Sequence, residues 1–177
     1  MQRKRNGTYV IIALICAVAF HESSGADVEE RIDFSTKNII DGSTFSSEQH
    51  KGRCMVIIFG SMYCKPCIQM IPIINQLHDT FKNEAFTAVG IDIDVTSDNH
   101  TLKQFAMDKN VRFYFLVDNN RVARQYKVFV LPTTLVVDPE GRIIKRYTNF
   151  QSYATLEKQV KKCLKLVDES GARETAE

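Results

Sequence analysis

Two cysteines separated by two residues stand where an apolar strand passes into a helix. Residues 55–59 (MVIIF) form an unbroken apolar run with β-branched members, which is typical of a central strand covered on both faces. Gly60 interrupts the run. Beyond it, apolar side chains recur at helical spacing, at Ile68, Ile71, Ile74, Leu77 and Phe81. Cys64 and Cys67 are therefore expected where the strand ends and the helix begins.

This position favours redox chemistry for the pair. The start of a helix stabilises a thiolate, the reactive form of cysteine, through unpaired backbone N–H groups and the positive end of the helix dipole. Cys64 is therefore predicted to be the exposed sulfur with the lower pKa. Cys67, one helical turn further on, can resolve a mixed disulfide that Cys64 forms, and Pro66 suits the first turn because its missing N–H is not needed there. The alternative is a fixed local disulfide.

Residues 1–26 are interpreted as an export signal rather than as part of the fold. Basic residues at 3–5 precede the apolar stretch 9–20, and small residues follow, which gives two candidate cleavage sites, after Ala19 and after Ala26. The apolar stretch is short of the ~20 residues that a membrane-spanning helix needs. We therefore expect a periplasmic or secreted protein, with a membrane anchor formed by an uncleaved N-terminus as the alternative.

Removal of this leader changes the charge balance of the chain. The full sequence has 23 basic and 21 acidic side chains, and residues 27–177 have 20 of each. A neutral balance provides no electrostatic footprint for nucleic acid, so no nucleic-acid partner is expected. The remaining length, about 150 residues, is enough for one domain with a sizeable core that does not depend on disulfides.

The remainder of the chain is predicted to form one domain of alternating strands and helices over 27–167, followed by a flexible polar tail over 168–177. Its N-terminal extension carries short strands around a turn at Asp41-Gly42. Strands are predicted at 32–34, 38–40, 44–45, 86–93, 113–117, 133–137 and 142–147. Beyond the helix that follows the cysteines, helical segments are predicted around 102–106, at 122–126 and at 151–167.

Four segments together resemble a known family. They are Asp41-Gly42 with Lys51-Gly52-Arg53, Cys64-Lys65-Pro66-Cys67 with Pro72 five residues later, Val111–Asp118, and Leu131-Pro132-Thr133-Thr134 with Asp138-Pro139-Glu140-Gly141. In this order the chain resembles the thioredoxin-like superfamily, and within it the exported TlpA/ResA-like thiol-disulfide oxidoreductases, over roughly residues 30–165. The resemblance implies an α/β, thioredoxin-like fold, in which helices flank a central mixed β-sheet with an N-terminal β extension.

The resemblance also implies roles for particular residues. Cys64 would be the attacking thiol and Cys67 the resolving one. Pro132 would be a cis-proline that faces the cysteines, with the Leu131 backbone pairing to a bound substrate chain as an added strand. The expected substrate-binding residues are Tyr63, Lys65, Pro66, Leu131 and Pro132. No cofactor is expected beyond the redox-active disulfide itself.

This chain departs from the family pattern at four positions. The family has tryptophan before the first cysteine and earlier in the same loop, whereas here Tyr63 and Gly60 hold those places. Many relatives carry a glutamate three residues after the second cysteine, and thioredoxin carries a buried aspartate in the preceding strand. The matching residues here are Met70 and Ile58. No acid is therefore apparent for deprotonating Cys67, and water or a substrate group is expected to serve.

The residue between the cysteines bears on the reduction potential. A cation at Lys65 favours thiolate over disulfide, which predicts a somewhat more oxidising pair. The alternative is a solvated side chain with little effect, because exposed charges interact weakly in water.

Two further cysteines remain after removal of the leader. Cys54 opens the central strand and Cys163 lies on the last helix, and both are interpreted as small buried apolar side chains. The alternative in an oxidising compartment is a second, structural disulfide, which requires Cα atoms within ~7 Å of each other.

Together these features predict an exported enzyme that exchanges disulfides with protein substrates. A reductase of envelope proteins is favoured, with apocytochrome c as one candidate substrate and a membrane or envelope thiol protein as the redox partner. A disulfide oxidase or isomerase is the alternative. A Cu(I)- or zinc-binding metallochaperone is the rival class, but the four histidines, His21, His50, His78 and His100, are scattered, so no metal ligand is assigned. A monomer is expected, and the direction of electron flow stays open.

Overall fold

The computed structural model describes residues 30–118 and 121–174, so the predicted leader lies outside the described residues. Seven strands are present: β1 (Ser35–Asn38), β2 (Thr44–Ser46), β3 (Cys54–Gly60), β4 (Phe86–Asp92), β5 (Tyr114–Val117), β6 (Thr133–Val137) and β7 (Ile143–Thr148). The α-helices are α1 (Lys65–Phe81), α2 (Asn99–Asp108), α3 (Arg121–Gln125) and α4 (Tyr153–Glu174), and a 3₁₀ helix covers Ser47–His50. None of the helices in these two described ranges is both long and apolar enough to span a bilayer.

The strands form one mixed sheet in the order β2-β1-β5-β4-β3-β6-β7. β3 pairs in parallel with β4 and antiparallel with β6, and β4 pairs in parallel with β5. The hairpin β1–β2 attaches to the far edge of β5. The predicted central mixed sheet and its N-terminal β extension are therefore confirmed.

The central strand is buried on both faces because its alternate side chains enter two separate cores. Val56 and Ile58 pack under α1 and α4, while Ile57 and Phe59 pack against α3 and the segment before β1. This double coverage explains why the strand is apolar throughout rather than alternating.

The segment around Ile32 and Phe34 is not a strand, contrary to the sequence-based expectation. Both side chains are buried, but the backbone amides bond to loops and side chains instead of a ladder. The amides of Ile32 and Phe34 donate to Gly141 O and to Ser47 Oγ, at 2.8 and 3.0 Å. An isolated antiparallel bridge joins Arg31 to Arg142, and the first continuous strand is β1.

The last helix is longer than predicted. It was expected to end at Val167, where the apolar stripe ends, but α4 continues to Glu174 and so includes most of the segment expected to be a polar tail.

Cys54 and Cys163 form a disulfide, with Cα atoms 6.0 Å apart. Both are buried as expected, but their interpretation as free apolar side chains is wrong. The cause lies in packing: α4 packs against β3, and this brings together two residues that are 109 positions apart.

Candidate active site

Cys64 and Cys67 form a disulfide at the start of α1, with Cα atoms 5.2 Å apart. Cys64 is the N-cap residue of the helix and is partly exposed. Cys67 lies inside the first turn, and only 6% of its surface is exposed. A partner molecule can therefore reach Cys64 more easily than Cys67.

The helix start places a hydrogen-bond donor on the outer sulfur. The Cys67 N–H donates to Cys64 Sγ over 3.3 Å, and Pro66 occupies the first turn, where an N–H is not needed. After reduction the same donor faces a Cys64 thiolate, which it stabilises together with the helix dipole.

A short loop connects β3 to this helix. Ser61 organises it by accepting hydrogen bonds from Cys64 N at its carbonyl (3.0 Å) and from Tyr63 N at its hydroxyl (3.1 Å). The Tyr63 side chain is 66% exposed, and Lys65 is also exposed. Both side chains flank Cys64 on the solvent side.

Gly60 permits the close approach of the helix to the strand. A Cβ atom built at Gly60 would lie 3.1 Å from Cys67 Cβ and 3.5 Å from Cys67 Sγ. Any larger residue would have to displace the buried cysteine. The absence of a side chain at Gly60 therefore leaves room for Cys67 to pack directly against the strand.

The loop before β6 lies at the same end of the sheet as the cysteines. Thr133, the first residue of β6, pairs with Phe59 near the end of β3, so Pro132 lies next to the end of the central strand. The Leu131–Pro132 peptide bond is cis. Thr133 Oγ1 donates to Val130 O (2.6 Å), which ties the loop to the start of the strand.

This loop exposes apolar side chains that were not assigned to the site from sequence. Phe129 is 85% exposed and Val130 is 47% exposed, immediately before Leu131 and Pro132. The available signal was the apolar run 128–131, which stops at a proline and is followed by a second, buried apolar strand. Exposed aromatic and aliphatic surface beside a reactive disulfide is suited to binding a protein segment.

Asp92 is an acid at this end of the sheet that was also missed. It is the last residue of β4 and is 2% exposed. Its Oδ2 accepts a hydrogen bond from Met62 N (2.8 Å) in the cysteine loop, and its Oδ1 accepts one from Asp94 N (2.9 Å). Burial raises the pKa of Asp92 to about 6, against the lowering effect of these two hydrogen bonds. The available signal was the pair of acids that ends the strand.

The two positions at which the resembling family carries acids are apolar core in this chain. Ile58 and Met70 are both buried in the core between the sheet and α1. The carboxyl group that lines the same cavity as Cys67 is therefore Asp92, from β4 rather than from β3 or α1.

Among the side chains that the structure describes, over 30–118 and 121–167, no group of three or more His, Cys, Asp or Glu residues is arranged to hold a metal ion. His50, for example, stacks on the Phe45 ring, with ring centroids 4.5 Å apart.

The chain is similar to a known protein family and to named thiol-disulfide oxidoreductases. The AhpC/TSA family matches residues 29–146. The thiol-disulfide oxidoreductase ResA of Bacillus anthracis is 27% identical over 172 residues, which covers 92% of this chain and 98% of that protein.

Solved structures share the fold. A putative thiol:disulfide interchange protein DsbE from Chlorobium tepidum superposes with a TM-score of 0.71 at 22% identity, covering 77% of this chain and 96% of that one. A thiol:disulfide interchange protein of the thioredoxin family, from Chlorobium tepidum TLS, has a TM-score of 0.67 at 25% identity, covering 75% and 93%. The thioredoxin-like fold expected from the sequence is therefore confirmed.

Proposed function

This chain belongs to the AhpC/TSA family, and we propose that it is a thiol-disulfide oxidoreductase that exchanges disulfides with protein substrates through Cys64 and Cys67. One observation carries the proposal. A disulfide lies at the start of a helix, with its outer sulfur accepting a hydrogen bond from the helix and its inner sulfur buried behind it. This asymmetry separates an attacking thiol from a resolving thiol.

In the reductive direction the reaction has two displacements. The Cys64 thiolate attacks one sulfur of a substrate disulfide, the substrate S–S bond breaks, and the other substrate sulfur leaves as a thiolate. Cys67 then loses its proton and attacks Cys64 Sγ, which releases the second substrate sulfur and forms the Cys64–Cys67 disulfide. Two electrons pass from the cysteine pair to the substrate, and no bound cofactor is required.

The substrate is proposed to bind across the loop before β6. Leu131 and Pro132 lie beside the end of β3, so an extended chain can lie along this loop while its disulfide faces Cys64. Phe129 and Val130 supply apolar surface on one side, and Tyr63 supplies it on the other. Lys65 and Pro66 complete the proposed contact set next to Cys64.

An extracytoplasmic location is proposed for this enzyme. The leader pattern over 1–26 supports it, and so does the second disulfide, Cys54–Cys163, because disulfides persist in oxidising compartments. We propose a reductase of envelope proteins, with an apocytochrome c as one candidate substrate and a membrane or envelope dithiol protein as the electron donor. The protein is proposed to act as a monomer.

Trapping of the mixed disulfide tests the proposal. Cys67→Ser is expected to accumulate a covalent adduct with protein substrates, because the resolving thiol is absent, whereas Cys64→Ser is expected to lose turnover and form none. Adducts are resolved by non-reducing electrophoresis and identified by mass spectrometry. If Cys67→Ser forms no adduct in cells, the resolving role is wrong.

The reduction potential of the pair determines the direction of electron flow. Equilibration in glutathione buffers is expected to give a value near or below about −220 mV for a reductase, whereas a value near about −120 mV would identify an oxidase. Absence of a reversible couple would contradict the enzyme function and leave metal binding by the cysteines as the class to test.

A further inference from the structure

A buried carboxyl group shares a cavity with the inner cysteine. The cavity has a volume of about 30 Å³, lies between the sheet and α1, and is lined by Cys67, Asp92, Gly60 and Ser61 together with apolar side chains. This volume is sufficient for a water molecule. Of the described residues that line it, Cys67 and Asp92 are the two that can titrate.

Strand register explains why these two groups meet. Gly60 and Asp92 are partners in the parallel pair β3–β4, and partners in such a pair project their side chains to the same face, about 4.8 Å apart. The Cys67 side chain occupies the space that a side chain at Gly60 would fill. Asp92 is therefore the direct neighbour of the site that Cys67 Sγ occupies.

We propose that Asp92 accepts the proton of the Cys67 thiol when Cys67 resolves the mixed disulfide, either directly or through one water in this cavity. This inference rests on the proposed function, and it assigns Asp92 to the step in which Cys67 resolves the mixed disulfide. The Asp92 carboxylate takes the thiol proton, the Cys67 thiolate attacks Cys64 Sγ, and the bond between Cys64 and the substrate sulfur breaks. The electron pair leaves with the substrate thiolate, and protonated Asp92 returns its proton to that thiolate or to solvent.

The electrostatic environment suits this role. The pKa of Asp92, raised to about 6 by burial, makes it a carboxylate at neutral pH that still binds a proton readily. Hydrogen bonds from Thr96 keep the pKa of Asp94 lowered, so that neighbour stays ionised. Asp118 directs its carboxylate to the amides of Val122 and Ala123 in α3.

Among the other described elements around the site, α1 contributes the exposed Lys65, and α2, whose Phe105 lines the cavity, contributes the exposed Lys103. Neither Lys65 nor Asp94 nor Asp118 lines the cavity. Asp92 therefore remains the group positioned to take the proton of a thiol at Cys67.

A two-step reaction with an aromatic disulfide separates the attack from the resolution. The reduced full-length protein is mixed with a disulfide that releases coloured thionitrobenzoate, and each release is timed by stopped flow. The first release reports attack by Cys64, and the second reports resolution by Cys67. Because the aromatic thiolate leaves without a proton, the pH dependence of the second release reports deprotonation of Cys67.

Asp92→Asn is expected to leave the first release unchanged and to slow the second by about 100-fold near neutral pH. In the wild type the second release should accelerate as the pH rises through about 6, and in Asp92→Asn this acceleration should move to the alkaline range of the thiol itself. Asp92→Glu should recover part of the rate. Asp79→Asn is the matched control, because Asp79 pairs with Arg112 and does not line the cavity, and it should leave both releases and the pH profile unchanged.

The outcomes distinguish this inference from the proposed function. An absent first release in the wild type, relative to a variant lacking Cys64 and Cys67, would contradict the proposed function. A normal first release with an unaltered second release and pH profile in Asp92→Asn would overturn the role of Asp92 alone.

A measurement on the wild type does not depend on the folding of a variant. The carboxyl carbon resonance of Asp92 is titrated in the oxidised and in the reduced protein. Its titration midpoint should differ between the two forms, because two neighbouring buried groups titrate as a coupled pair only when Cys67 is a thiol. Identical midpoints would overturn the proposal.

Discussion

At the scale of single residues, Cys64 is acted on by two sources of positive potential. The Cys67 N–H points at its sulfur, and the Lys65 ammonium follows it in sequence. The first is fixed by the helix and acts at hydrogen-bond distance. The second is exposed, so solvent screens it, and its effect should be smaller than that of the helix start.

Lys65→Glu is expected to lower the reduction potential of the Cys64–Cys67 pair, because a negative charge next to the sulfur disfavours the thiolate and so favours the disulfide. Equilibration in glutathione buffers measures the change. Lys82→Glu, at the other end of α1, is the control and should leave the potential unchanged. An unchanged potential in Lys65→Glu would support the fully solvated alternative.

Asp92 should also couple the stability of the fold to pH. Burial raises its pKa from 3.8 to about 6, so the folded state binds this proton more tightly than the unfolded chain does. Its contribution to stability is therefore fully present below about pH 4 and is lost as the pH rises to about 6. The difference in unfolding free energy between the wild type and Asp92→Asn should change by about 2–3 kcal/mol over this range, in favour of the variant at the higher pH.

Denaturant unfolding at a series of pH values measures this difference. The comparison with Asp92→Asn removes the contributions of other carboxyl groups, because they are common to both proteins. A constant difference across the range would show that Asp92 does not change its protonation on folding.

At the scale of elements, the two disulfides lie at opposite ends of β3. Cys54 is the first residue of the strand, and Gly60, which contacts Cys67, is the last. Six steps of an extended strand separate them, about 20 Å. The two disulfides are therefore too far apart to exchange with each other in the folded protein, and Cys54–Cys163 serves to join α4 to the central strand.

Replacement of Cys54 and Cys163 together by alanine should lower the free energy of unfolding by about 2–4 kcal/mol, because this bridge closes a long loop in the unfolded chain. The matched control is the pair Cys64→Ala with Cys67→Ala, which opens a loop of three residues and should cost much less. Denaturant unfolding without reductant measures both. Equal losses would contradict an entropic role for the longer loop.

At the scale of the whole molecule, the residues proposed for catalysis and binding lie at one end of the sheet. The ends of β3 and β4 bring Gly60 and Asp92 there, and the start of β6 brings Pro132 because it runs antiparallel to β3. Met107, near the end of α2, lies towards the opposite end, because the parallel strand β5 begins shortly after it. Phe129 and Val130 therefore expose apolar surface at the end of the sheet that carries the disulfide, whereas Met107 exposes it towards the other end.

Phe129→Ser is expected to raise the KM for a protein disulfide several-fold, because exposed apolar surface next to Pro132 is lost, and to leave the rate with a small aromatic disulfide unchanged. Met107→Ser is the matched control, since Met107 is 66% exposed at the remote end, and it should change neither value. Steady-state kinetics with both substrates measures the effect. A parallel loss with the small disulfide would indicate damage to the cysteines rather than to substrate binding.

Sequence patterns were sufficient where short-range physics decides the outcome. The unbroken apolar run of β3, the helical spacing of α1 and the position of the cysteines where the helix begins depend on residues within a few positions of one another. The structure has these features as predicted. The family resemblance extended the prediction from these local features to the thioredoxin-like fold as a whole.

Tertiary structure decided which distant residues meet. The pairing of Cys54 with Cys163 depends on where α4 crosses the sheet, and the position of Asp92 beside Cys67 depends on the register of β3 against β4. The segment 32–34 likewise has the apolar pattern of a strand, but loop groups take its hydrogen bonds. Local propensity carries no information on contacts between residues far apart in the chain, because these are set by packing of the whole core.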